Sequence, residues 1–240
     1  MISINTLGYA SPELRVKAEA LAADLHFTVD QDAINCLFLS NDCLALKLPN
    51  FSLMSADFSL STWKKRQTEG KKQGLIRACK PQPGMKIIDA TAGWGKDSAI
   101  LASFGAEVLM LERHPVMGLL LADALERRTE ADAQHMKLTL ENADSKSYLL
   151  ALPEKDYPDV IYIDPMHPER TKSALVKKEM QVLQQLIGAD QDVLELIQCA
   201  RTRVKQRVVV KWPQKVKGVL AADATITGKT VRFDLYFPPQ

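Results

Sequence analysis

From Pro81 onward the chain alternates short apolar runs with longer helix-patterned segments, and this alternation restricts the fold more than any other feature. MKIIDA is an apolar strand that closes on Asp89, followed by a glycine-containing loop and a helix from about Lys96 to Phe104. EVLMLER is a second strand, and PVMGLLLADALERR is a second helix opened by Pro115. MKLTLENAD is a third strand, and DVIYIDPMHP is a fourth that two prolines stop. SALVKKEMQVLQQLIG and DQDVLELIQCARTR read as helices, and RVVVKWP and TVRFDLYF as two more strands. Strands alternating with helices predict an α/β fold, a mostly parallel sheet with helices on both faces. Such sheets bind ligands at the carboxyl ends of their strands.

Residues 1–80 are expected to form a small N-terminal α+β region, and residues 81–240 the larger domain. In the first part, Ser11 is placed to cap a helix running PELRVKAEALAADLH with Pro12 at its first position. CLFLS and CLALKL are strand-like and are separated by the turn signal Asn41-Asp42. Charge is uneven. The chain totals 31 Lys and Arg against 29 Asp and Glu, yet residues 61–80 hold seven basic residues and one acidic, Glu69. The stretch from Met166 to Lys217 holds eleven basic and five acidic residues. Two basic stretches in a nearly neutral chain point to a polyanion-binding face, if the fold joins them. Cys36, Cys43, Cys79 and Cys199 show neither CxxC spacing nor a nearby His, so no metal is expected and reduced thiols are. The opening residues lack the pattern of a signal peptide, and no apolar run approaches the roughly 20 residues of a membrane span. A cytoplasmic protein with no membrane partner is the expectation.

The motifs fall at the strand ends. In DATAGWGKDS, Gly93 and Gly95 let the backbone turn sharply against a ligand, and the next helix points its N-terminus at it. A dinucleotide fingerprint needs GxGxxG, but Ser98 stands third, and the carboxylate of Asp89 suits a cationic ligand better than a pyrophosphate. Glu112, closing the second strand, is typed to accept both hydroxyls of a ribose. Asp144, closing the third, is typed to accept an exocyclic amine such as that of adenine. Asp164 closes the fourth strand, and Pro165 frees a neighbouring carbonyl from the ladder. Two acceptors fit an NH2 group, which has two donors. His167 is a candidate to stack on a ring. Four successive strands ending in acids describe a pocket for a cationic nucleoside beside an amine slot.

This constellation resembles the class I, Rossmann-like S-adenosylmethionine-dependent methyltransferases, and Asp-Pro-Met-His-Pro is similar to the (Asp/Asn)-Pro-Pro-(aromatic) motif of amino-group methyltransferases. DATAGWGKDS, LASFGAEVLMLERHPV, DPMHPERTKSALVKKEMQVLQQLIG and RVVVKWP resemble the RsmJ family of bacterial small-subunit ribosomal RNA methyltransferases. The likeness is dense from about Asp89 to the C-terminus, and in residues 1–80 it is one of layout. It implies methylation of the exocyclic N2 of one guanosine in 16S rRNA, with S-adenosylmethionine as cofactor and 16S rRNA or the 30S subunit as partner. By the same resemblance, Lys96 and Asp97 match the family's glycine-loop residues, Glu112 and Arg113 its Glu-Arg pair, and Asp164 its motif aspartate. Asp144 and Ser145 stand where the family has a Ser-Ser pair, and His167 where it has an aromatic residue.

The expected catalytic set is therefore Asp164, Pro165 and His167, and the cofactor set is Asp89, Gly93, Gly95, Lys96, Asp97, Glu112, Arg113, Asp144, Ser145 and Asp164. The target base must be flipped or unpaired to reach such a pocket. Lys64, Lys65, Arg66, Lys71, Lys72, Lys172, Lys177 and Lys178 are the expected phosphate contacts. Two other readings compete: an amino-group methyltransferase for another nucleic acid, a protein or a small molecule, and a non-catalytic RNA-binding module. The module would keep Glu112 but have no need of the Asp164-Pro165 slot.

Overall fold

The computed structural model describes residues 3–63, 73–166, 182, 186 and 192–239. The N-terminal part forms a four-stranded sheet of order β2-β1-β3-β4, with β1 Thr6–Tyr9, β2 Thr28–Val29, β3 Cys36–Leu39 and β4 Leu44–Lys47. β1 runs parallel to β2 and to β3, and β3 and β4 form the expected antiparallel hairpin around Asn41-Asp42. The helix α1 spans Arg15–Leu25. It does not start at Pro12: a 3-10 turn, Pro12–Leu14, comes first, and Ser11 makes no side-chain cap. Leu14 N–H instead donates to the Ser11 carbonyl, which tightens the entry to three residues per turn.

A helix α2, Gly74–Cys79, leads into the large sheet. Its strands are β5 Lys86–Asp89, β6 Glu107–Leu111, β7 Leu138–Glu141, β8 Val160–Ile163, β9 Arg207–Pro213, β10 Ala224–Thr227 and β11 Val231–Tyr236. Their order is β10-β11-β9-β8-β5-β6-β7. The five strands from β7 to β9 are parallel, while β11 is antiparallel to both β9 and β10. The connecting helices are α3 Lys96–Ser103, α4 Pro115–Glu126, α5 Glu130–His135, α6 Ser145–Ala151 and α7 Val193–Arg201.

Strand parity divides the core. Ile87, Tyr162 and Val209 face α2, α3 and α4, whereas Ile88, Ile161, Ile163, Val208 and Val210 face α6 and α7. Both faces are covered, which is why these strands read as continuous apolar runs. The first cluster continues into the N-terminal sheet through Leu37 and Leu46, and into the segment after it through Phe58 and Trp63, so the two sheets share one core. Polar ties support that junction. Asp132, in a capping box with Thr129, also accepts from Leu60 N–H at 2.8 Å, and Arg127 donates to the Ala56 carbonyl at 2.7 Å. No helix among the described residues is long and apolar enough to cross a membrane.

Candidate methyl-transfer site at the carboxyl edge of the sheet

The acids foreseen at the strand ends do lie at one edge of the sheet, but they divide the work there. Asp89 is 1% exposed and turns into its own loop, accepting from Thr91 N–H at 3.1 Å and from the Ser98 hydroxyl at 2.5 Å. Burial pushes its carboxyl up to about 7, against those two hydrogen bonds and with the charges of Asp97 and Asp164 adding to the rise. Gly93 and Gly95 both adopt the left-handed conformation, with φ of 55° and 69°. At Gly95 the missing Cβ leaves room for Phe58, whose Cζ would lie 2.5 Å from such an atom. The glycine thus seats Phe58, from the segment that follows the N-terminal sheet, against the loop.

Glu112, 5% exposed, is held by backbone: its two oxygens accept from Gly93 N–H at 2.9 Å and His114 N–H at 2.8 Å. It therefore couples the glycine loop to the turn after β6. Asn142 supports the same turn by donating to the Glu112 carbonyl at 2.6 Å, and it fits because Gly118 on α4 has no side chain there. Arg113 pairs with Asp192 at 3.3 Å. Asp144 caps α6: one carboxylate oxygen accepts from both the backbone and hydroxyl of Ser147 at 2.8 Å, and these bonds hold its carboxyl below the usual range. Ser145 is buried and donates to the Ala90 carbonyl at 2.6 Å.

Asp164 sits at the end of β8. Its N–H donates to the Thr91 hydroxyl at 2.6 Å, which joins the loops after β5 and β8. Its carboxylate accepts from Lys211 Nζ at 2.7 Å, and the same ammonium reaches Asp97 at 2.8 Å. Asp97, next to Lys96 in the first turn of α3, also accepts from the Tyr162 hydroxyl at 2.5 Å. Burial and the charges of Asp97 and Asp164 hold the Tyr162 phenol well above its usual range, so it stays protonated and donates. Burial opposes charge on Lys211, but Asp164 and Asp97 outweigh it and hold the amine above its ordinary value. Lys211, Tyr162, Thr91 and Asn142 were not among the residues expected from the sequence.

The edge thus carries three neighbouring carboxylates, Asp89, Asp97 and Asp164, against the Lys211 ammonium. With Asp89 partly protonated near neutral pH, the described groups leave a net negative site, which suits a cationic ligand. Among the described residues, no cluster of His, Cys, Asp or Glu is arranged to hold a metal ion. His167, Lys172, Lys177 and Lys178, with the helix expected over 173–188 apart from Val182 and Leu186, lie outside the described residues. So do Lys64, Lys65, Arg66, Lys71 and Lys72. On either side of residues 64–72, Trp63 and Leu75 are buried in the same core cluster.

A family model described as a putative S-adenosylmethionine-dependent methyltransferase matches residues 20–238. Ribosomal RNA small subunit methyltransferase J of Legionella pneumophila (strain Corby) is 66% identical over 238 residues, which is 99% of this chain and 98% of that protein. The protein of the same name from Thioalkalivibrio sulfidiphilus (strain HL-EbGR7) is 42% identical over 246 residues, 96% of each chain. Among solved structures, an S-adenosylmethionine-dependent methyltransferase of Neisseria gonorrhoeae matches with a TM-score of 0.71 at 28% identity, over 97% of this chain and 96% of that one.

Proposed function

The chain belongs to the ribosomal RNA small subunit methyltransferase J family of S-adenosylmethionine-dependent methyltransferases, and from that premise we propose that it methylates the exocyclic N2 of a specific guanosine in 16S rRNA. The observation that carries the reading is the position of Asp164 at the end of β8, fixed by Thr91 and Lys211 beside the glycine loop. An acceptor held there, with a proline-flanked backbone next to it, suits an NH2 group presented at the sheet edge.

S-adenosylmethionine, when bound, supplies an activated sulfonium methyl group. The donor set fits it. Glu112 offers carboxylate acceptors for ribose hydroxyls while keeping its backbone partners, Asp144 and Ser145 border the adenine side, and Lys96, Asp97 and Arg113 complete the shell with the Gly93–Gly95 loop. The net negative charge around Asp97 and Asp164 suits a sulfonium. In the methyl-transfer slot, the Asp164 carboxylate and the Pro165 carbonyl accept hydrogen bonds from the two N2–H groups and orient the nitrogen. Asp164 acts as a hydrogen-bond acceptor and not as the base, since the N2 proton becomes acidic once nitrogen is alkylated and leaves to solvent water. His167 stacks on the flipped base. Residues 1–80 form the region that presents the basic segment 61–80, and with Lys172, Lys177 and Lys178 it grips the RNA backbone.

The test is methyl transfer from labelled S-adenosylmethionine to 16S rRNA and to 30S particles from a strain lacking the gene, followed by nucleoside chromatography. N2-methylguanosine at a single site is the expected product. Label in another nucleoside, or none in either substrate, overturns the assignment.

A further inference from the structure

We propose that Lys211 is a positioning residue whose ammonium holds Asp97 and Asp164 in place and sets the pocket's preference between the cationic cofactor and its neutral product, S-adenosylhomocysteine. The inference rests on the placement of the cofactor near Asp97 and Asp164, and not on the identity of the methylated base.

Topology places this residue. β9 lies beside β8 in parallel, with Ile163 paired to Val210, so Lys211 falls one position further, across from Asp164. Strand parity puts it on the face of Val209 and Tyr162, the face that α3 covers, and so within reach of Asp97 at the start of that helix. The ammonium lies 2.7 Å from Asp164 and 2.8 Å from Asp97. All three side chains are about three-quarters buried, at 24%, 27% and 24% exposed for Lys211, Asp164 and Asp97. One cation thus bridges three elements: the strand β9, the loop after β8 and the first turn of α3.

Two consequences follow from charge and geometry. Without the bridge, Asp97 and Asp164 repel each other, and the acceptor slot loses its fixed orientation. With the bridge, the local field on a sulfonium is less negative by one unit than the carboxylates alone would make it. That moderates the difference in affinity between a positively charged cofactor and the uncharged product, which must leave after each turnover.

Calorimetric titration of the full chain at about pH 8, where the carboxylates are ionised, reads this directly with S-adenosylmethionine and S-adenosylhomocysteine as probes. In Lys211→Met the ratio of the two affinities should move toward S-adenosylmethionine by roughly three- to tenfold, the effect of one partly screened charge. In Lys211→Arg, which keeps the charge but not the shape, the ratio should stay within about twofold of wild type while methyl transfer slows. A ratio in Lys211→Met within twofold of wild type overturns the proposal, as does a shift in Lys211→Arg equal to that in Lys211→Met. Should Lys211→Met not fold, the comparison moves to Asp164→Asn with and without Lys211→Met. The same three- to tenfold shift between those two supports the proposal, and equal ratios overturn it. A chain that binds neither probe in its wild-type form rejects the cofactor placement itself. A chain that binds both but methylates another substrate leaves the Lys211 result standing and rejects only the guanine assignment.

Discussion

Replacing Glu112 with Gln tests the central feature of the site, a buried carboxylate that holds two loops at once. The side chain is 5% exposed and accepts from Gly93 N–H at 2.9 Å and His114 N–H at 2.8 Å. Gln keeps the shape, but its carbonyl serves only one of these donors, and its NH2 faces the other, donor against donor. One charge-assisted bond of about 1.5–3 kcal/mol is lost, the other weakens to a neutral bond of about 1 kcal/mol, and a buried N–H is left unsatisfied. Relief from burying a charge offsets part of this, so the net loss is about 2–3 kcal/mol. In a chain of this size each kcal/mol lowers the melting temperature by about 2–4 °C, so a fall of roughly 4–12 °C is expected without any ligand. If the same carboxylate also receives the ribose hydroxyls, affinity for S-adenosylhomocysteine should fall at least about tenfold, the equivalent of one hydrogen bond to a charged group. Thermal unfolding of the free protein and calorimetry with S-adenosylhomocysteine separate the two roles. An unchanged melting temperature would refute the loop-anchoring argument. A lowered melting temperature with unchanged affinity would retain the anchor and reject the ribose contact.

Asp89→Asn should change the pH dependence of stability: an aspartate raised to about 7 in the fold costs progressively more as pH climbs from its unfolded value near 4, so the variant's advantage over wild type should grow by about 2–3 kcal/mol between about pH 5 and pH 8, and urea unfolding at both pH values showing a constant difference would refute the buried-acid argument. Gly95→Ala forces φ of 69° on a residue with a Cβ and drives that atom to 2.5 Å from Phe58, so a loss of about 2–4 kcal/mol is expected in denaturant unfolding, and wild-type stability would mean the loop relaxes freely. Lys64, Lys65 and Arg66 changed together to Ala should weaken binding to 16S rRNA and flatten its salt dependence by about 0.7–0.9 per lost phosphate contact, with cofactor affinity kept; unchanged RNA affinity makes the segment an ordinary solvated surface. Asp164→Asn should lower single-turnover methylation at saturating cofactor by roughly 10²–10³, and a rate within about threefold of wild type would move the acceptor slot elsewhere.

The sequence made the sheet legible because its central strands are covered on both faces, so KIID, EVLML, VIYI and RVVV stand out as apolar runs. The strands it left unread are those without that signal. β1 is four residues with a glycine, β2 is two residues, and β10 is largely exposed. The start of α1 was misread because Ser11-Pro12 fits a helix cap as well as it fits a 3-10 turn. At the site, the run of acids was visible and its division was not. Where a carboxylate turns depends on which backbone N–H groups its loop presents, and that is fixed only when the loop closes. Lys211 was hidden for a different reason. In RVVVKWP it reads as an interruption of a strand, and it gains meaning only once β9 is known to lie beside β8 in the register that brings residue 211 across from 164.

That division bears on how any variant at this edge is interpreted. The carboxylates of Asp89, Glu112 and Asp144 each accept at least one backbone N–H, from Thr91, from Gly93 and His114, and from Ser147. Parallel strands end here with their loops diverging, so these N–H groups have no neighbouring strand to pair with, and side-chain acceptors take the place of the ladder. Such a residue shapes the pocket whether or not it touches the ligand, so its loss lowers ligand-free stability either way and lowers affinity where it also contacts the ligand. Asp97 and Asp164 differ, since their carboxylates share the Lys211 ammonium and Asp97 also accepts from the Tyr162 hydroxyl. For the first group, ligand-free stability should fall, and affinity with it only where the side chain contacts the ligand. For the second, removing one partner of a largely buried ion pair also lowers stability, but affinity and rate should fall further than that loss accounts for, because these carboxylates face the charge of the ligand. The correlation between those two measurements across the five acids therefore reports which side chains contact the cofactor and which only build the walls around it.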